Sequence, residues 1–151
     1  MVPKQTPQQA LPKIRQLLSQ GQSCRLWVTG TSMVPFLRSE KDAVILSPMT
    51  LPARRGDILF YLRGETRCLL HRVHKRLPDG NYLICGDNQT ITEIVPPEKV
   101  IGIASAIERN GRHFSAKNCL WRFLSLLWIL LKPIRPALLA IIGWLWRVFK
   151  G

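Results

Sequence analysis

The chain has 151 residues, 46% of them apolar, and a formal charge of +13. At that length one compact domain with a modest core is expected. Cysteines at 24, 68, 85 and 119 show no C-x-x-C spacing, and no glycine-rich phosphate loop or internal repeat is visible, so no metal site and no cofactor is expected.

Residues 8–20 read as a short amphipathic helix, with Leu11, Ile14, Leu17 and Leu18 on one face and Gly21 at its end. Strand-like runs follow at 24–29, 42–47, 57–62, 67–75, 81–85 and 99–109, separated by Gly, Pro, Asp and Asn clusters. Pro78-Asp79-Gly80-Asn81 marks a hairpin. Asn110-Gly111-Arg112-His113 reads as another hairpin tip, and His113 is given no role. Cys24, Cys68 and Cys85 lie in apolar strand contexts and read as buried thiols, with a disulfide left open. Short strands at this spacing predict a mainly β protein, a small barrel or sandwich.

The run Gly30-Thr31-Ser32-Met33-Val34-Pro35-Phe36 stands directly after the first strand. Glycine permits a sharp turn there, and proline ends regular pairing. The run presents Ser32 on a stiff turn, which suits a nucleophile, because a serine hydroxyl attacks only with fixed geometry and an adjacent base.

Further along come Arg54-Arg55-Gly56-Asp57-Ile58-Leu59, Leu70-His71-Arg72-Val73, Gly86-Asp87-Asn88 and Val100-Ile101-Gly102. This ordered set resembles the signal peptidase I family and its LexA-like self-cleaving relatives, over about residues 24 to 108. The resemblance implies a coiled β-barrel or sandwich with its active site in a shallow groove and a peptide substrate bound as an extended strand. It implies Ser32 as nucleophile. His71, in its His-Arg-Val context, matches the histidine-base branch of the endoplasmic-reticulum and archaeal type. Asp87 matches the family's acidic box, orienting the imidazole or steadying the site from behind it.

A histidine base is physically sensible, since its unperturbed pKa of about 6.5 leaves it mostly neutral at pH 7. Ser32 would attack the scissile carbonyl while His71 takes its proton and returns it to the leaving amine. His74 is the rival base; three residues on along a strand, it is expected on the opposite face, solvated. Two departures from the family pattern appear. Gly30 stands where the family often has a serine, so the oxyanion would rest on backbone N–H groups, Ser32's own among them, or on Thr31 or Thr29. No second aspartate follows Gly-Asp-Asn, and Glu93 is the only acidic substitute.

From Lys117 to Gly151 there are six basic residues and no acidic one. Two apolar runs, Phe123–Leu131 and Ala137–Trp146, flank Lys132-Pro133-Ile134-Arg135-Pro136. Neither reaches the about 18–20 residues that span a bilayer. At helical spacing Arg122, Ser125 and Lys132 share one face of the first, and Ala140, Gly143, Arg147 and Lys150 one face of the second. With Trp121, Trp128, Trp144 and Trp146, these runs predict two helices in the interface of an anionic membrane. The competing expectation is a helical pair packed on the β domain. Residues 1–23 would then be a helical lead-in, 24–116 the catalytic domain and 117–151 a basic, Trp-rich tail.

Met1–Gln22 is polar with no secretory h-region, so the expected location is the cytoplasmic face of a membrane, peripheral or monotopic. No helix-turn-helix or stacking platform supports nucleic acid as a partner; anionic lipid accounts for the charge more simply. Three function classes follow. One is a Ser–His endopeptidase removing signal or leader segments. Another is a self-cleaving LexA-like regulator, for which the first 23 residues are too short to hold a DNA-binding domain. The third is a non-catalytic membrane-binding module. The sequence assigns no oligomeric state.

Overall fold

The computed structural model describes residues 5–151. Residues 1–4 of the lead-in lie outside the described residues. Helix α1 spans Pro7–Ser19. Thr6 and Gln9 cap it reciprocally, through Gln9 N–H to Thr6 Oγ1 at 3.2 Å and Thr6 N–H to Gln9 Oε1 at 3.0 Å. Its apolar face buries Ile14 and Leu18 against the sheet, with Leu11 packed alongside.

The strands are β1 Cys24–Trp27, β2 Asp42–Ser47, β3 Ile58–Arg63, β4 Arg67–Arg76, β5 Tyr82–Cys85, β6 Glu93–Val95, β7 Val100–Arg109 and β8 Arg112–Ser115. They form one antiparallel sheet in the order β1-β2-β7-β3-β4-β5-β6, with β8 on β7. Register shifts at Ile45/Leu46, Phe60/Tyr61 and Val73/Lys75 interrupt the ladders. The mainly β architecture expected from the sequence is present. β6 and β8 were not expected: three residues of β6 carry too little alternation to read, and β8 begins inside what looked like a turn.

Both faces of β3 are buried. Ile58 and Phe60 join a core with Ile14, Leu26, Val44 and Ile107, while Leu59 and Tyr61 join a second with Val73, Tyr82 and Ile84. That is the period-2 alternation of a strand covered on both sides. All four cysteines are free thiols; Cys68 and Cys85 are buried, Cys24 is half-buried and Cys119 exposed.

Helices α2 (Cys119–Leu130) and α3 (Arg135–Lys150) follow, and among the described residues no single helix is long and apolar enough to cross a membrane. Asn118 caps α2 by accepting from Trp121 N–H at 3.1 Å. α2 belongs to the body of the protein. Trp121 is part of the first core and meets Phe36 edge-on at 5.5 Å between centroids. The polar face expected to look outward is turned inward instead. Arg122 pairs with Asp57 at 2.5 Å, and Ser125 accepts from Arg72 at 2.7 Å. The physical reason is that Arg72 and Asp57 are polar groups at the sheet surface that need partners. The opposite face, with Phe123 62% and Leu130 66% exposed, is left outside.

Candidate active site

The turn that carries Ser32 follows β1. Gly30 has φ +75°, in the left-handed region glycine enters without strain. The turn closes with Val34 N–H on Thr31 C=O at 3.2 Å and Leu37 N–H on Met33 C=O at 2.9 Å. It is braced from outside by the Gly86–Gln89 loop. Asn88 N–H donates to Ser32 C=O at 2.8 Å, and Asn88 Nδ2 donates to Thr31 C=O at 3.1 Å. A Cβ on Gly86 would stand 2.7 Å from the Ser32 carbonyl oxygen. Only glycine allows that approach, which gives the Gly-Asp-Asn box a concrete task.

Ser32 and His71 line one groove of about 430 Å³, with Thr29, Gly30, Thr31 and Asn88 along it. Asn88 holds the carbonyls of Thr31 and Ser32, which fixes the backbone of the turn beside the groove.

His71 sits on β4 opposite Leu59 and is 2% exposed. Its Nδ1 lies 2.9 Å from the Tyr61 hydroxyl. That hydroxyl donates to Glu93 Oε1, and Arg63 holds the same carboxylate. Because the tyrosine proton goes to Glu93, its oxygen is left to accept from His71 Nδ1–H. This chain fixes the tautomer and leaves Nε2 with the lone pair. Nε2 is buried and has no partner among the described residues. An imidazole so arranged can act as a base, and in this structure its Nε2 makes no hydrogen bond to Ser32 Oγ, although both residues line the one groove.

Electrostatics agree. Burial pushes the His71 pKa below its ordinary value, opposed by the nearby Glu93 carboxylate, so the ring is neutral near pH 7. Burial tends to raise the Glu93 carboxyl, but hydrogen bonds from Arg63 and Tyr61 outweigh it and keep Glu93 ionised. Burial, then the hydrogen bond to Glu93, drives the Tyr61 pKa upward, so it remains a phenol.

Asp87 lies elsewhere. Both its oxygens accept from Arg72, at 2.8 and 2.7 Å, in a pair with no exposure. Arg72 also donates to Gly56 C=O at 2.9 Å and lies 4.7 Å over the Phe36 ring. Trp128 Nε1 donates to Asp87 C=O at 2.9 Å. Asp87 therefore braces the loop behind Ser32, and Glu93 is the carboxylate that reaches the His71 side, 3.7 Å from Nδ1.

His74 does not line the groove with Ser32. The expectation that it is solvated is corrected: it is 7% exposed, covered by the end of α2. The register shift between Val73 and Lys75 tucks it in. His113 is exposed and pairs with Glu108 at 2.9 Å.

Sequence reading missed Tyr61, Arg63, Asn88 and Arg135. Arg135 is fully buried and donates to Gly86 C=O at 3.2 Å and Gln89 C=O at 2.6 Å. Strand alternation could have placed Tyr61 on the face of Leu59 and hence of His71; nothing local marks Arg135. No protein-family model matches the chain, and no curated protein matches it.

Proposed function

We propose that the protein is a serine endopeptidase of the signal-peptidase kind, working by a Ser32–His71 mechanism on signal or leader segments. One observation carries this reading: a buried, neutral His71 with Nδ1 engaged and Nε2 unpartnered, lining the groove that holds Ser32 on its braced turn. Ser32 Oγ attacks the scissile carbonyl as its proton passes to His71 Nε2. The imidazolium that forms is stabilised through Tyr61 by Glu93, and its proton then leaves with the departing amine. Glu93 thus takes the orienting role that the family resemblance assigns to Asp87.

The substrate reading rests on strand pairing. β5 pairs β4 only from Arg72 onward, so the stretch Arg67–His71 has no strand on that side among the described residues. That free edge borders the groove, where an extended peptide can add as a strand.

A fluorophosphonate probe tests the chemistry without a known substrate. Wild-type protein is expected to be labelled at Ser32, and Ser32→Ala and His71→Ala to lose labelling while staying folded. Absence of labelling in the wild type, or labelling retained in Ser32→Ala, overturns the proposal.

A further inference from the structure

On the other side of β4 from the catalytic groove lies a second hollow, of about 560 Å³. Arg55, His74, Lys75 and Lys132 stand around it, and Leu83, Ile129, Leu130 and Pro133 complete its lining. No carboxylate lines it. The nearby acids are already used: Asp57 pairs with Arg122 and Asp87 with Arg72. His74 Nε2 is buried here with no hydrogen-bond partner among the described residues. Burial, then the charges of Arg135, Lys132, Arg72 and Arg55, hold this imidazole neutral down to about pH 4. The same positive field that repels a proton attracts an anion.

Cations over an apolar floor suit an amphiphile with an anionic head. The hollow opens beside an exposed apolar surface. Leu130 lines it, and Ile134, Trp144, Trp146 and Phe149 beyond it are all more than half exposed. On α3 Arg147 and Lys150 make one narrow polar stripe in line with Gly143, and most of the remaining circumference is apolar. α2 buries Trp121, Ser125, Trp128 and Ile129 against the protein and still leaves Phe123 and Leu130 more than half exposed, so it is apolar on both sides.

We infer that the Arg55–His74–Lys75–Lys132 hollow binds the phosphate of an anionic phospholipid and so seats the outer face of α2 and α3 on an anionic bilayer. A second copy of this chain fits less well. Of the six cations in residues 117–151, Arg122 is paired with Asp57 and Arg135 is buried; Lys117, Lys132, Arg147 and Lys150 remain with no side-chain carboxylate in that stretch, so two such faces would repel. The helices lie in the interface: α2 and the segment through Lys150 are bent by 65°, and 16 residues of α3 fall short of the about 30 Å hydrocarbon core. The start of α3 is near the catalytic groove, because a hollow sharing Arg63, Asn88 and Gln89 with that groove reaches Pro136 and Leu139.

The test uses the full chain, since Trp121, Trp128 and Arg135 make the tail part of the body. Flotation with phosphatidylglycerol/phosphatidylcholine vesicles is compared with pure phosphatidylcholine. Wild type is expected to prefer the anionic vesicles. Lys75→Glu with Lys132→Glu should weaken that binding at least about 20-fold, from the usual gain per cation near an anionic surface. Lys13→Glu with Arg112→Glu removes the same net charge away from the hollow and should weaken it far less. Trp146→Ser with Phe149→Ser should weaken binding to both vesicles. Serine-probe labelling should stay normal in all of these variants. Equal loss in both charge pairs, or no preference for anionic vesicles, overturns the inference. So does self-association that hides the face, seen by sedimentation. Millimolar inorganic phosphate that binds the hollow yet leaves vesicle binding intact assigns the site to free phosphate and overturns the lipid assignment.

Discussion

Tyr61→Phe separates the proposed relay from a bare Ser–His pair. The ring has no exposure, and phenylalanine keeps its volume, so the change removes one hydroxyl from a packed site. That hydroxyl is the bridge between His71 Nδ1 and Glu93. Without it, Glu93 Oε1 stands 3.7 Å from Nδ1, beyond good hydrogen-bond distance. The lost bond serves a ring that becomes charged in the transition state, where such bonds contribute about 1.5–3 kcal/mol. Ser32 labelling by a fluorophosphonate should therefore slow by about 10- to 150-fold. The pH profile supplies a second reading. Burial lowers the His71 pKa and Glu93 raises it, so uncoupling Glu93 lets burial act with less opposition. Labelling in the wild type should rise with pH through a value below about 6.5, and in Tyr61→Phe that limb should move further to acid. Labelling rates should be measured from pH 5 to pH 9 beside thermal unfolding curves. If Tyr61→Phe labels at the wild-type rate with an unmoved acid limb, the relay is refuted. A limb near pH 9 would refute the histidine base itself.

Two predictions concern stability. Asp87→Asn leaves the buried Arg72 guanidinium without its counter-ion, so urea unfolding should show a loss of about 3–5 kcal/mol; a loss below about 1 kcal/mol would contradict the buried pair. His74 has a folded pKa of about 4 against about 6.5 unfolded, so the unfolded chain binds the extra proton between those values and stability falls as pH drops through that window. The loss attributable to His74 should reach about 3 kcal/mol by pH 4, and His74→Gln should flatten that part of a pH series; an unchanged slope would refute it.

Much of the sheet was legible because its signals are local. β2 is reproduced to the residue, and β3, β4, β5 and β7 within one residue at each end, since alternation and turn residues bound them. β1 stops at Trp27, two residues early, because the chain turns at Gly30 to present Ser32. In the site, Ser32 and His71 are visible because each stands in a compact motif. Glu93 is the only acidic substitute in the sequence, but the choice between it and Asp87 is not legible there. Asp87 sits in the more recognisable box, yet Arg72, which pairs with Cys85 across the β4–β5 hairpin, claims both its oxygens. Glu93 reaches the His71 side only because β6 pairs β5 and because Tyr61 projects from β3. Such partners are decided by sheet register, which the sequence states only for adjacent strands.

The reversal of α2 has the same origin. Periodicity correctly groups Arg122 with Ser125, but it cannot say which face meets protein. The answer depends on what the sheet leaves unpaired. Arg72 has donors to place after Asp87 is satisfied, and Asp57 has an oxygen open toward the helix. Burying these groups without partners would cost several kcal/mol, a sum of the same order as exposing a few leucines forfeits. Once α2 is turned by those contacts, Trp128 reaches the Asp87 carbonyl and Arg135 the carbonyls of Gly86 and Gln89. The loop so held is the one whose Asn88 N–H grips the Ser32 carbonyl. The C-terminal segment that reads as a tail in the sequence is thus two contacts away from Ser32, and its inner face joins these polar contacts to the buried Trp121, Trp128 and Ile129.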